Sequence, residues 1–432
     1  MIALLTVALI LLLYGAVSRP LDGRGVTSAM VFTLAGVAVG TSGLGLVDVD
    51  LESETAQRLA EVTLVLLLFS DAARLDLRRL RRELGWPARL LLIGLPLTML
   101  AGAGVGALLF PGMALASVAL LAIMLSSTDA ALGQRVVTDT SVPDRVRQAL
   151  DVESGLNDGL AVPFFLVAAD VATAELTTGV TWAVIWNAAE QIGWGVLAGV
   201  AAGALGGALC LVADKRGWFE GRWRQIVTLC AALLAYAAAA SLGGSGFIAA
   251  FVGGMTLGYV SGQHGLRLTI FTEEAGELLA AAVWIGFGAL ALPVWLPHVT
   301  WQIVVYAVLS LTLVRMVPVA IAMAGRGVRR PTLAFMGWFG PRGLASIVFA
   351  LLALEQGVPE SQTLLTTVGV TVALSVLLHG LTSVPLIAAY KRWYESHTEG
   401  HPQAPEAVPA EVPRLRRQPG ADEVHLALHE MS

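Results

Sequence analysis

Asp151-Val-Glu-Ser-Gly-Leu-Asn-Asp-Gly159 is a polar stretch inside a run otherwise apolar enough to span a bilayer. On a helix, Ser154 and Asp158 are four apart and stack on one face, and Glu153 and Asn157 stack one step round. Two acids, an amide and a hydroxyl then share a stripe at membrane depth. A carboxylate there costs from about 2.5 kcal/mol upward, so it needs a partner, a proton or an ion. Pro163 follows in the same segment and frees the carbonyl of Gly159, which predicts a local kink.

Three other stretches bear on this stripe. Ser126-Ser-Thr-Asp-Ala-Ala131 interrupts an apolar segment with four polar residues that compete for backbone hydrogen bonds. Unwinding there exposes carbonyls that suit a dehydrated cation. The alternative for this segment is a Ser/Thr-rich helix contact with Asp129 paired to an arginine. Leu313-Val-Arg-Met-Val-Pro318 and Gly337-Trp-Phe-Gly-Pro-Arg-Gly343 carry Arg315 and Arg342, two arginines placed deep within spans, and both imply buried acidic partners. The Gly and Pro cluster beside Arg342 predicts a helix broken at mid-membrane. Three acids against two guanidinium groups leave at least one carboxylate over, and a permanent ion pair fits Glu153 better than Asp158. A buried carboxylate without a fixed cation can carry a proton near neutrality.

The elements that position these residues are read from hydropathy. The chain has 432 residues, 56% hydrophobic and 14% charged, which is too apolar for a soluble globular protein. The expected fold is an all-α polytopic membrane protein of about thirteen transmembrane helices. They fall near 2–17, 27–46, 57–73, 88–109, 113–136, 149–169, 181–212, 225–242, 246–262, 272–292, 299–324, 332–354 and 362–389. The first lacks a basic start and a cleavage site, so it reads as a retained span rather than a signal peptide. Basic residues (Arg19, Arg24, Arg74 to Arg89, Arg145, Arg147, Lys215 to Arg224, Arg267, Arg326 to Arg330) collect in alternate loops, and acids (Asp48 to Glu54, Asp170, Glu175, Glu355, Glu360) in the opposite ones. This bias puts the N-terminus outside and the C-terminus in the cytoplasm, as expected of the plasma (inner) membrane. Trp182, Trp186, Trp295 and Trp301 read as outer interface anchors, and Trp86, Trp218, Trp223 and Trp393 as inner ones.

Spans 5 and 12 are both interrupted and cross in opposite senses. That predicts inverted repeats, spans 1–6 and 8–13, with two crossed broken helices and a site between them. Residues 1–396 form the membrane domain, and 397–432 read as a short disordered cytoplasmic tail. Cys210 and Cys230 read as reduced packing residues, and His264 as a solvated loop histidine. Nucleic-acid and nucleotide binding lack a motif, and no cofactor is expected.

Taken together, four stretches resemble the cation:proton antiporter-1 family, the NhaP-type sodium/proton exchangers. They are Leu67-Leu-Phe-Ser-Asp-Ala-Ala-Arg-Leu-Asp-Leu-Arg-Arg-Leu80, Ser127-Thr-Asp-Ala130, Glu153-Ser-Gly-Leu-Asn-Asp158 and Gly340-Pro-Arg-Gly343, with Gly246 to Gly254 a weaker fifth. The resemblance covers about residues 5 to 390 and implies a homodimer. Its mobile core would be spans 4–6 and 11–13, and its dimerisation domain spans 1–3 and 8–10. It further implies that Asp158 carries the proton or the cation (Na⁺, Li⁺ or K⁺), with Thr128 and Ser154 as cation ligands. Asp129 would support the unwound crossing, Glu153 would pair with Arg315, and Arg342 would stabilise the broken span 12. Asn157 stands where such an Asn accompanies electroneutral, one-for-one exchange. Two departures stand out: Ala130 replaces a frequent Pro, and Phe69-Ser-Asp-Ala replaces Phe-Glu-Gly-Gly, so no role passes to Asp71. The expectation is an antiporter and not an enzyme. The competing expectation is a rhomboid-like intramembrane serine protease, with Ser245 of Gly243-Gly-Ser-Gly246 as nucleophile and His379 as base. A channel filter of repeated loops is not visible.

Overall fold

A computed structural model describes residues 1–48, 53–74, 85–177, 181–220, 223–262, 268–290, 294–398 and 405–407. The described residues are helical, with connecting turns and no strand. In order, the helices are α1 (Ile2–Gly23), α2 (Ser28–Val39), α3 (Glu54–Ala73) and α4 (Gly85–Leu109, with a π turn at Leu90–Gly94). There follow α5a (Leu115–Met124), α5b (Ala130–Thr138), α6 (Asp144–Thr177), α7 (Trp182–Lys215), α8 (Trp223–Ser241), α9 (Gly246–Ser261) and α10 (Ile270–Leu290). The last are α11a (Trp301–Leu311), α11b (Leu313–Ala322), α12a (Arg330–Trp338), α12b (Leu344–Glu355) and α13 (Ser361–Thr398). Each expected span falls on one helix or a pair. Among the described residues, seven segments, α1, α4, α6, α7, α8, α11 and α13, are long and apolar enough to cross a membrane.

Hydroxyl residues start several of these helices. Thr27, Ser53, Ser245 and Thr300 each accept a hydrogen bond from the backbone N–H three residues on, which satisfies a donor the helix cannot. Helices α2, α3 and α7 to α10 pack on one another through small residues. The clearest case is reciprocal. A Cβ at Gly36 would collide with the Ile285 carbonyl, and one at Gly288 with the Thr33 carbonyl, so α2 and α10 meet backbone to backbone. Helices α4, α5a, α5b, α6, α11b, α12a, α12b and α13 pack around the interruptions of α5 and α12. Helix α1 lies outside, with Leu4, Leu5, Leu9, Leu12 and Leu13 exposed.

Several expectations need correcting. Span 11 is not one helix: the chain breaks at Thr312 (φ −115°, ψ −96°), upstream of Pro318. Trp86 and Trp295 are buried within the protein rather than exposed: Trp86 lies beneath the Arg145 guanidinium, and Trp295 packs on Phe287. Most of the 397–432 tail, and His264, lie outside the described residues. Within the tail, Pro405–Ala407 form a docked turn. Glu406 accepts hydrogen bonds from Arg329 N (2.8 Å) and Thr332 Oγ1 (3.1 Å), and Arg145 donates to the Pro405 carbonyl. Cys210 is buried, Cys230 is exposed, and both are free thiols.

Enlarging the α2–α10 contact tests this packing. Gly288→Val should cost about 1–3 kcal/mol of stability, the range for overpacking, read as a lower thermal midpoint in detergent. An unchanged midpoint would mean the two backbones do not touch.

Candidate ion-binding site

A helix broken inside hydrocarbon exposes N–H and C=O groups that no water can satisfy. Here two such helices cross, and each broken end is met by a named group. Asp129 caps both forward halves: its Oδ1 accepts from Leu132 N (3.0 Å) at the start of α5b, and its Oδ2 from Leu344 N (2.9 Å) at the start of α12b. One negative charge thus sits at two positive helix ends. The arriving halves are met by donors. Arg342 Nη1 donates to the carbonyls of Ser126 (2.7 Å) and Ser127 (3.0 Å), just past α5a, and Ser346 Oγ donates to Met124 O (2.7 Å). His379 Nε2 lies 2.9 Å from the carbonyl of Trp338 at the end of α12a. The backbone closes the junction, with Asp129 N donating to Pro341 O (2.7 Å) and Arg342 N to Ser375 Oγ (2.7 Å). Ser375 Oγ in turn lies 3.2 Å from His379 Nδ1. His379 Nδ1 also lies 2.9 Å from the Ser375 carbonyl, so each ring nitrogen faces a backbone carbonyl.

The Gly340-Pro-Arg-Gly343 stretch is therefore read residue by residue. A side chain at Gly340 would collide with the Arg315 guanidinium, and one at Gly343 with the Asp129 carboxylate. Pro341 supplies a carbonyl and Arg342 a donor fork. Ala130 in place of proline does not prevent the break, because α5a ends at Met124 and α5b starts at Ala130.

Beside the junction, Arg315 forms a bidentate pair with Glu153, Nη1 to Oε1 and Nη2 to Oε2, both 2.6 Å, and both side chains are buried. The Arg342 side chain departs from expectation: Nη1 donates to carbonyl oxygens rather than to an acid. The chain break frees carbonyls with lone pairs enough to hold a guanidinium, so no carboxylate has to be its ligand. Asp129 likewise caps two helices instead of pairing with an arginine in the junction. Asp158 is close enough to Arg342 for their charges to interact.

The remaining polar residues converge. Thr128 Oγ1 lies 3.0 Å from Ser154 Oγ and accepts from Asn157 Nδ2 at 2.5 Å. All three are buried, and Asp158, the next residue along α6, is half-buried. Two buried oxygens in this neighbourhood, Asn157 Oδ1 and Ser127 Oγ, have no hydrogen-bond partner within the protein. Neutral hydroxyl and amide oxygens next to one carboxylate make a donor set suited to a hard monovalent cation. So the structure brings Thr128, Ser154, Asn157 and Asp158 into one region, with Asp129, Arg342, Glu153 and Arg315 in the framework around it. Ser346, Ser375 and His379 were missed as junction residues; the i, i+4 spacing of Ser375 and His379 in an apolar helix was the available signal. Ser245 and His379 do not form a protease pair. Ser245 caps α9, and both ring nitrogens of His379 face groups of the junction.

The Glu153–Arg315 pair makes a stability prediction. Glu153→Ala strands a buried guanidinium and should cost about 3–5 kcal/mol, whereas Glu153→Leu combined with Arg315→Met should recover much of that. Thermal unfolding in detergent reads both, and a double variant no more stable than the single would refute it.

Residues 5–389 match the family model described as "Sodium/hydrogen exchanger, transmembrane". The K(+)/H(+) antiporter NhaP of Alkalimonas amylolytica is 26% identical over 385 residues, covering 87% of this chain and 65% of the relative. The low-affinity Na(+)/H(+) antiporter NhaS1 of Synechocystis is 27% identical over 381 residues, covering 82% and 68%. The chain thus spans about two thirds of the length of the curated relatives it matches. The solved sodium proton antiporter MjNhaP1 from Methanocaldococcus jannaschii shares the fold, with a TM-score of 0.73 over 90% of this chain and 100% of that one, at 18% identity. With its two broken helices crossed and clasped in this way, and with its membrane part matched almost end to end, the chain belongs to the transmembrane sodium/hydrogen exchanger family.

Proposed function

We propose that the chain exchanges a monovalent cation for a proton across a membrane, one for one, with Asp158 binding either but not both. The observation that carries this reading is the division of labour among the acids. Glu153 is committed to Arg315 and Asp129 to two helix N-termini, while Asp158 stands half-buried beside Thr128, Ser154 and Asn157. Thr128 and Ser154 supply cation oxygens, and Asn157 holds Thr128 in place. The names of relatives include both K⁺ and Na⁺ exchangers, so the cation class is Na⁺, K⁺ or Li⁺.

Exchange follows from electrostatics. A bare carboxylate is costly to carry past apolar walls, so the site crosses only when a proton or a cation neutralises Asp158. The gradients of the two ions then drive each other, without nucleotide. The mobile core is assigned to α4–α6 and α11–α13, and the dimerisation face of a homodimer to α1–α3 and α8–α10. The exposed apolar surface of α1 supports such a role for the first group of helices. The protein lies in the plasma membrane with the N-terminus outside.

Asp158→Asn should abolish exchange while the protein still folds. In proteoliposomes, dissipation of an imposed pH gradient on adding Na⁺, K⁺ or Li⁺ checks this, and residual exchange by the variant would remove Asp158 from the role. A one-for-one stoichiometry further predicts a rate that does not respond to an imposed membrane potential. A rate that scales with the potential would mean unequal charges cross.

A further inference from the structure

Asp151 is a second buried carboxylate on α6, 4% exposed, that the site above does not use. It lies seven residues before Asp158, so the two sit about 10 Å apart along the helix and on nearly the same face. Asp151 and Ser154 together line a small cavity between α5b, α6 and the end of α12a. Its remaining walls include Ala130, Gly133, Leu150 and Phe339, so the polar lining comes from those two residues alone. The cavity holds about 10 Å³ for the centre of a water-sized occupant, room for one water or one small cation. Ser154 faces both ways, lining this cavity and meeting Thr128 in the exchange site.

Three features fit a waiting position for an ion. The carboxylate lies at half the depth between the start of α6 at Asp144 and Asp158. It shares a polar lining with a residue of the exchange site. Its neighbour one turn back, Arg147, is also buried and bonds Asp144, so a positive charge limits how tightly a cation is held. An ion that binds weakly there can move on.

We propose that Asp151 and this cavity form an antechamber that receives a partly hydrated monovalent cation from the face carrying the α5–α6 loop and passes it by Ser154 toward Asp158. The inference rests on the exchange reading above. Asp151 raises the local cation concentration; Asp158 alone exchanges cation for proton.

The test measures exchange in oriented proteoliposomes, with graded Na⁺ or K⁺ added to one face at a time. Asp151→Asn should raise the apparent KM about fivefold from the α5–α6 face, with the maximal rate changed less than twofold and the opposite face unaffected. Asp151→Glu should restore the KM. Gly133→Val gives a second route, since Gly133 lines the cavity and a Cβ there meets nothing within 4 Å. It should raise the same KM from the same face. An unchanged KM in Asp151→Asn and Gly133→Val, or a change equal on both faces, overturns the antechamber while Asp158→Asn remains inactive. No exchange by the unmodified chain overturns both readings.

Discussion

The structure depends on satisfying helix ends where there is no water. Two helices stop and restart at mid-membrane, and each stop leaves carbonyls and each restart leaves amides. Asp129 takes the amides of both restarts, and Arg342 with Ser346 and His379 takes carbonyls of the stops. Opposite charges at opposite helix poles also agree with the backbone dipoles. Every residue of Gly340-Pro-Arg-Gly343 follows from this junction: two glycines give space, the proline gives a carbonyl, and the arginine gives donors.

The second constraint is charge balance. Arg315 and Glu153, each 1% exposed, offset the cost of burying their charges as a close, doubly hydrogen-bonded pair. With that pair and the two-ended cap in place, the polar residues of α5 and α6 face one another in a fixed frame. Thr128, Ser154 and Asn157 hold one another by hydrogen bonds, so the oxygens near Asp158 are already arranged for the ion that the proposed exchange requires.

Much of this was legible in the sequence because charge is rare in an apolar chain. The Glu153 to Asp158 stripe, Arg315 and Arg342 stood out, and Gly and Pro marked the break in α12. What stayed hidden was pairing across distance. Asp129 and Leu344 are 215 residues apart, and nothing local in either stretch says that one carboxylate will cap two helices. Arg342 was expected to find an acid because carbonyls freed by a chain break do not show in a residue list. The break at Thr312 carried only Pro318 as a nearby sign, and Trp86 and Trp295 looked like interface anchors because burial of an indole depends on neighbours far along the chain.

The double cap of Asp129 has a mechanical consequence. Because one side chain clasps the starts of α5b and α12b together, a displacement of either half is passed to the other. Under the exchange proposed above, the oxygens around Asp158 would then travel as one cradle with the same grip on either side of the membrane. Such a carrier would have no preferred direction of its own and would run whichever way the two ion gradients push it.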